Sequence, residues 1–317
     1  MRFFLLKIFF ATDVHGSEIC WQKFINAGKF FGASIAILGG DMTGKAIVPI
    51  VQQSGHSHRA VLLEQEFILQ GEDEIQQMEK KIKSRGYYPY RTTPEEIAEL
   101  DHSPDQLNDL FIRQVLSTLE QWMSYADDRL AQSKVRCFVC PGNDDIPDMD
   151  AVIKASRHVH LAEGEIIELD CHHEMISSGW SNPTPWNTYR EEVEEQLAGR
   201  LETMAEKLLN PRSSIFNFHV PPYASMIDDA PQLTADLRVK YAGNALHPVG
   251  STAVRGVVEK YKPLLGLFGH IHESRGTSRI GSTLCINPGS MYEQGSLLGA
   301  IVDLSKDKVE NYLLTTG

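Results

Sequence analysis

Five short apolar runs in this chain end in the same kind of residue, and that recurrence limits the folds open to it. The runs are FFLLKIFFATDVH (3–15), ASIAILGGD (33–41), VRCFVCPGND (135–144), SIFNFHV (214–220) and LLGLFGHIH (264–272), each ending in Asp, Asn or His near its close. Apolar runs this short, bounded by turn residues, read as strands buried on both faces. Helical patterns lie between several of them: SEICWQKFINAGKFF (17–31), TYREEVEEQLAGRLETMAEKLL (188–209) and STAVRGVVEKY (251–261). The first and third open on a serine or threonine suited to an N-cap. This alternation predicts an α/β fold with strands stacked between helices. Ligands of open α/β sheets collect beyond the carboxyl ends of the strands, so the five polar ends are expected to meet in one site. Any one of these residues alone reads equally well as a turn former or cap. Agreement among five runs is what selects a site, because ordinary loops lack this uniformity of ligand chemistry.

A chain of 317 residues holds one large domain or two ordinary ones. Its 42% hydrophobic and 23% charged residues match a globular protein that folds by itself. The 30 basic and 42 acidic residues leave a net charge of −12, which repels polyanions and makes nucleic acid a poor partner unless bound metal reverses the local field. Cys20, Cys137, Cys140, Cys171 and Cys285 are odd in number and scattered, which fits a reducing compartment rather than a disulfide framework. Cys137 and Cys140 form a C-x-x-C, but a strand turns positions three apart to opposite faces, and a redox motif usually opens a helix. At the start, MRFFLLKIFFATDVHG, Lys7 interrupts the apolar stretch, which runs into a polar motif instead of a small-residue cleavage site. A buried first strand fits better than a signal peptide. No other run approaches the roughly 20 apolar residues that span a bilayer, so the expectation is a soluble cytoplasmic protein with no membrane partner.

Residues 46–133 differ from the rest and read as an insertion within a single 1–317 domain. They hold a hairpin pattern (HRAVLLEQEFILQ), a helical stretch (EDEIQQMEKKIKSRG), a turn (YYPYRTTPEE) and a long helix (SPDQLNDLFIRQVLSTLEQWMSYADDRLAQ), with dense charge and no apolar run ending in a ligand. Such a segment could cap the site, mediate self-association into a homo-oligomer, or be elaborated surface; its Leu and Ile stripe at helical spacing is plain packing in most helices. The sequence carries two G-H-x-H patterns, SGHSHRA (54–60) and FGHIHES (268–274). His56 and His58 follow PIVQQS, a poor strand end, and are expected on a mobile loop without catalytic metal. His270 and His272 follow a strong apolar run and are expected in the site.

Asp13 and His15, at i and i+2 beyond a strand, can turn the same way and grip one cation. Asp41 follows Gly39 and Gly40, which let the backbone come close. Its carboxylate can bridge two cations about 3.5–4 Å apart, the spacing of two-metal hydrolytic sites. Asn143, His219, His270 and His272 supply neutral donors. This oxygen and nitrogen set suits Mn²⁺ first, with Fe, Zn²⁺ or Ni as alternatives, and suits Mg²⁺ less well because of its histidines.

These residues resemble the calcineurin-like metallophosphoesterases, whose pattern is D-x-H, G-D, G-N-H-[DE], a lone His and G-H-x-H. Here the motifs stand as Asp13-Val14-His15, Gly40-Asp41, Gly142-Asn143-Asp144-Asp145, His219 and Gly269-His270-Ile271-His272. They come in that order and span the chain outside the insertion. The resemblance implies a four-layer α/β/β/α sandwich with a largely helical insertion. It also implies one metal held by Asp13, His15, Asp41 and His272, and another by Asp41, Asn143, His219 and His270. One motif departs from the pattern: Asp144 stands where many members carry a histidine that contacts the phosphate and is thought to protonate the leaving group. Two neighbouring cations should pull the pKa of Asp144 down, so it is a poor acid near neutral pH and reads instead as a residue that orients a ligand or turns the chain. His247 in NALHPVG, His172 and His173 are alternative proton donors, although a lone loop histidine is most often surface.

SSGWSNPTPWNTY (177–189) reads either as an aromatic loop that stacks on a base or aryl group or as a proline-stiffened turn with one buried tryptophan, which is favoured. NPGSMY (287–292) reads as a tight turn and nothing more. The expected activity is therefore a dinuclear-metal phosphoesterase, a phosphodiesterase ahead of a phosphomonoesterase or protein phosphatase. It would act on a small-molecule phosphate ester, nucleotide-like esters among the candidates, by in-line attack of a metal-bridging hydroxide. Asp41, Asn143, Asp144 and His219 are the residues expected to carry the chemistry. The rival reading is a metal-binding protein with negligible hydrolysis whose insertion holds a partner.

Overall fold

The computed structural model describes residues 5–234, 236–240 and 245–317. Phe3 and Phe4, the start of the first apolar run, and Asn244, before His247, lie outside the described residues. The chain runs β1 (Leu6–Ala11), α1 (Glu18–Phe31) and β2 (Ile35–Leu38), then leaves for an excursion of β3 (Ile47–Gln52), β4 (Ser57–Leu62), β5 (Gln65–Gln70), α2 (Gly71–Ser84), β6 (Tyr88–Thr92), α3 (Pro94–Asp101) and α4 (Pro104–Leu130). It returns through β7 (Arg136–Val139), α5 (Met149–Lys154), β8 (Val159–Leu161), β9 (Ile166–Glu168), β10 (Glu174–Ser178), α6 (Glu194–Ala205) and β11 (Ile215–Phe218). A short ribbon, β12 (Asp229–Pro231) and β13 (Leu246–Pro248), precedes α7 (Thr252–Tyr261), β14 (Leu265–Leu267), β15 (Gly276–Ile280), β16 (Thr283–Asn287), β17 (Leu298–Ser305) and β18 (Lys308–Thr316).

Two six-stranded sheets result, ordered β18-β17-β1-β2-β7-β8 and β15-β16-β14-β11-β10-β9. Side chains alternate across a strand, and here both faces of each sheet are covered. Ile8 and Phe10 of β1, Ile35 and Ile37 of β2, Leu265 and Leu267 of β14, and Leu284 and Ile286 of β16 share one core between the sheets. Phe9, Ala11, Ala36 and Leu38 point the other way, into a core closed by α1, α4 and α5. Phe216, Phe218 and Cys285 lie on the far face of the second sheet, against α6 and α7. The three cores separate four layers, helix, sheet, sheet and helix. The central strands are parallel and buried on both faces, which is why they read as continuous apolar runs instead of alternating ones.

The excursion divides in two. Strands β5-β4-β3-β6 form a separate sheet that packs with α2 around Ile50, Leu62, Ile75 and Ile82. Helix α4 instead joins the outer layer of the first sheet through Val115, Leu119, Trp122 and Met123. Trp122 stacks on Trp21 of α1 with ring centroids 5.1 Å apart, and the Trp21 indole N–H donates to the Trp122 carbonyl at 3.2 Å.

Three local expectations change. YYPYRTTPEE is a strand, β6, followed by α3, not a turn; Pro89 is tolerated because β6 lies at the edge of its sheet. The helix expected over 188–209 starts only at Glu194, since Thr188–Glu191 are tied into the preceding loop. His56 and His58 belong to the tight β3–β4 connection, with His58 inside β4 and paired with Gln52.

Candidate metal centre

Each candidate ligand stands just past the carboxyl end of a strand. Asp13 and His15 follow β1, Asp41 follows β2, Asn143 follows β7, His219 follows β11, and His270 and His272 follow β14. Both sheets therefore contribute. Four of these seven residues, Asp13, His15, Asp41 and His270, have φ values of +53°, +38°, +46° and +66°. Such conformations cost a non-glycine residue energy and persist only where the surroundings hold them. The surroundings are explicit here: Asp13 N–H donates to Gly40 O and His15 N–H to Asp41 O, both at 2.9 Å, while Ser290 Oγ donates to Asp13 O at 2.6 Å. Close approach explains two motif glycines. A Cβ on Gly142 would lie 2.1 Å from Asp41 Oδ1, and one on Gly269 would lie 2.5 Å from Asp13 Oδ2.

The structure brings the seven candidate ligands together. His272 Nε2 is 3.4 Å from Asp13 Oδ1 and 3.0 Å from His15 Nε2. Asp41 Oδ2 is 3.5 Å from His15 Nε2 and 3.4 Å from His219 Nε2, so one oxygen faces both donor groups. Asp13, His15 and His272 form one cluster with metal-ligand spacing, and Asp41, His219 and His270 form another. Asn143 Oδ1 lies 3.1 Å from His219 Nε2. Among the described residues, His56 and His58 join no such cluster.

Hydrogen bonding shows why a cation fits. His219 Nδ1 is 3.1 Å from Gly39 O, an acceptor only, so Nδ1 keeps its proton and Nε2 is the nitrogen left to face the site. The Asn143 amide donates to Thr188 Oγ1 at 2.8 Å, which turns Oδ1 toward His219. His219 Nε2, Asn143 Oδ1 and Asp41 Oδ2 thus converge, an arrangement that a positive charge among them stabilises, whether a proton on Nε2 or a cation in its place. Protonation states follow the same logic. Burial drives His15 down to about 3 and His270 down to about 4, leaving neutral imidazoles. For His219 burial pushes down too, but the Asp41 and Asp13 carboxylates outweigh it and hold the ring at about 10. Asp41 is held well below the usual carboxylate range, His219 and His15 overcoming its burial. A proton on His219 supplies, without metal, the charge that the carboxylates demand.

Other neighbours complete the site. Asp145 accepts from Met42 N–H, Thr43 N–H, Thr43 Oγ1 and Gly142 N–H, joining the Asp41 turn to the Asn143 turn. Asp144 donates its N–H to Asp41 Oδ1 at 3.0 Å and accepts from Lys45 Nζ at 2.9 Å. Burial and the Asp41 charge push the Asp144 carboxyl up, while Lys45 pulls it down. NPGSMY is more than a turn: besides the Ser290 bond, the Tyr292 ring lies 4.8 Å from His15 and 5.9 Å from His272. Sequence reasoning misses Lys45, Asp145, Ser290 and Tyr292 as site residues. A lone lysine or serine carries no periodicity, and only the position of Asp145 within its motif offers a signal.

The site opens into a cleft of about 1460 Å³. Asp41, Lys45, Asn143, Asp144, His270 and His272 line its polar end; Pro185, Trp186, Tyr189, Leu233 and Val239 line an apolar flank. The aromatic loop therefore reaches the cleft with Trp186 61% exposed, contrary to the expectation of a plain turn. Trp180 is partly covered, with the Arg200 guanidinium over its ring. His247 lines the cleft. His173 does not, being buried and bonded to Asp170 and to the Ser305 carbonyl.

Two sheets layered between helices thus bring together the residues that the sequence motifs mark. Similar solved structures share the fold at low identity. One superposes over 98% of this chain and 99% of its own, with 14% identity and a TM-score of 0.55. The protein TT1561 of Thermus thermophilus superposes over 99% of both chains, with 13% identity and a TM-score of 0.51. In sequence, an uncharacterized protein of Methanocaldococcus jannaschii, MJ1162, is 34% identical over 117 residues. That match spans 36% of this chain and about half, 47%, of the relative. No protein-family model matches the chain. Among the described residues, no helix is long and apolar enough to cross a membrane.

Proposed function

We propose that this protein is a phosphoesterase dependent on two divalent cations, Mn²⁺ foremost, and that it acts on a small phosphodiester. The observation that carries the reading is Asp41 Oδ2, which faces the two donor clusters at 3.4 and 3.5 Å at the polar end of a large cleft. Asp13, His15, Asp41 and His272 would hold one cation, and Asp41, Asn143, His219 and His270 the other. Bound there, the cations would lower the pKa of a water and neutralise charge developing on the phosphoryl oxygens. The chain's own residues prepare this. Burial keeps His15 and His270 neutral, Gly39 fixes the His219 tautomer, and Thr188 orients Asn143. The apolar flank beyond the polar end supports a diester, because it offers room for a second ester group.

The test is metal analysis together with turnover of bis(nitrophenyl) phosphate and nitrophenyl phosphate by the Mn²⁺-loaded protein. Two ions per chain and faster turnover of the diester are expected. Asp41→Asn should lose metal at both positions and lose turnover. Full occupancy in that variant would refute the bridge, and preference for the monoester would refute the diesterase assignment.

A further inference from the structure

We propose that Lys45 contacts the phosphoryl group of the substrate, with Asp144 as the residue that positions it; the inference rests on the phosphoesterase reading. Lys45 lies four residues past the candidate bridging carboxylate, on a backbone held on both flanks, Ala46 O after it accepting from Tyr88 N–H at 3.0 Å. Before it, Met42 and Thr43 donate their N–H groups to Asp145, and Gly44 N–H donates to the Tyr88 hydroxyl at 2.8 Å. The ammonium is 2.9 Å from Asp144 Oδ2. That same oxygen is 3.9 Å from His15 Nδ1, a buried atom with no hydrogen-bond partner among the described residues. The Asp144 carboxylate thus stands between a metal-ligand candidate and the lysine, and its own N–H is anchored on Asp41. Lys45 and Asp144 line the cleft alongside Asp41, Asn143, His270 and His272.

The charge balance of the cleft gives the lysine its role. Two cations can engage only some of a phosphoryl group's oxygens, and the negative charge that develops elsewhere needs a donor already in place. An ammonium is such a donor and is a common partner of phosphate. The other lysine that lines the cleft, Lys240, is on the ribbon side with Gln232, Leu233 and Val239. Lys45 is half exposed, its side chain 51% accessible, so an incoming anion can reach it while Asp144 limits its wandering. A merely structural pair with this exposure contributes little to stability, so its removal should leave almost no trace unless the ammonium meets the substrate.

Calorimetric titration of inorganic phosphate into Mn²⁺-loaded protein separates these cases, with metal content measured on every variant. Lys45→Met is expected to keep its metal, to bind phosphate at least about tenfold more weakly, and to lose on the order of a hundredfold in kcat/KM for the aryl diester. Lys45→Arg should recover phosphate affinity to within about threefold, because it restores the charge. Asp144→Asn should weaken phosphate less than Lys45→Met does, since the ammonium remains but is no longer held. Phosphate affinity in Lys45→Met within about threefold of the unaltered protein overturns the proposal. Loss of metal in that variant overturns it too, because the lysine would then be supporting the ligand loops. Phosphate binding is measured whether or not any ester is hydrolysed, so failure of the phosphoesterase reading remains distinct from failure of the lysine contact.

Discussion

Asp145 stands between two ligand turns that share no covalent path for a hundred residues. Its carboxylate takes three backbone N–H groups and one hydroxyl, all buried. Removing it leaves those donors unsatisfied at a desolvation penalty of about 1–3 kcal/mol each. Asp145→Ala is expected to lower the unfolding free energy by at least ~3 kcal/mol in denaturant titration, and Asp145→Asn by less, since its amide oxygen still accepts. Equal stability of Asp145→Ala and the unaltered protein would show that the two turns hold themselves. At this scale the sequence exposed residues whose chemistry is repeated in a motif, such as Asp13, Asp41 and His270. It hid those that act through a single contact made in space. Ser290 reaches Asp13 across 277 positions of sequence, and nothing near Ser290 marks it for that task.

The loop between β10 and α6 shows what an element can conceal. Its periodicity suggests a helix from 188, yet Glu191 accepts from the N–H and hydroxyl of both Thr184 and Thr188 and holds the segment open. Local side-chain bonds of this kind compete with helix formation. Thr188 in turn receives the Asn143 amide. Glu191→Ala should release this chain of bonds, reducing stability by about 1–2 kcal/mol and metal affinity by roughly 10-fold, read by competitive metal titration. Unchanged metal affinity would mean that Asn143 needs no such support. The central strands β1, β2, β7, β11 and β14 were legible because burial on both faces makes continuous apolar runs. β6 was not, because an edge strand tolerates the proline and polar residues that also mark a turn. The two G-H-x-H copies separate for a related reason: one follows a strand of the central sheet, the other sits in a peripheral hairpin.

For the molecule as a whole, the candidate ligands follow strands of both sheets, so the proposed metal binding would be linked to the joining of the sheets. Asp13 and Asp41 are buried carboxylates, and on the proposed reading bound cations would stabilise the folded state that gathers them. Ligands that bind the native state alone stabilise it by about 4 kcal/mol at a thousandfold excess over Kd. Chelation should therefore lower the melting temperature, and Mn²⁺ should restore it; Asp41→Asn should show a much smaller response. A melting temperature indifferent to chelation in the unaltered protein would break the link between site and fold. The apolar runs made an α/β fold legible, whereas the four-layer sandwich was implied only by the resemblance that the ordered motifs carry. Strand order was not, because pairings such as β1 with β17 depend on contacts between the two ends of the sequence.

That pairing bears on how the chain is made. β1 lies inside its sheet, with β2 along one edge and β17 along the other. β2 leaves the ribosome soon after β1, but β17 spans Leu298–Ser305. At synthesis rates of roughly 5–20 residues per second, the second edge of β1 waits on the order of 15–60 s for its partner. Through that interval Ile8, Phe9 and Phe10 belong to a half-built sheet with an open strand edge, the kind of surface that favours wrong pairing, and completion of the sandwich waits until β17 has been translated.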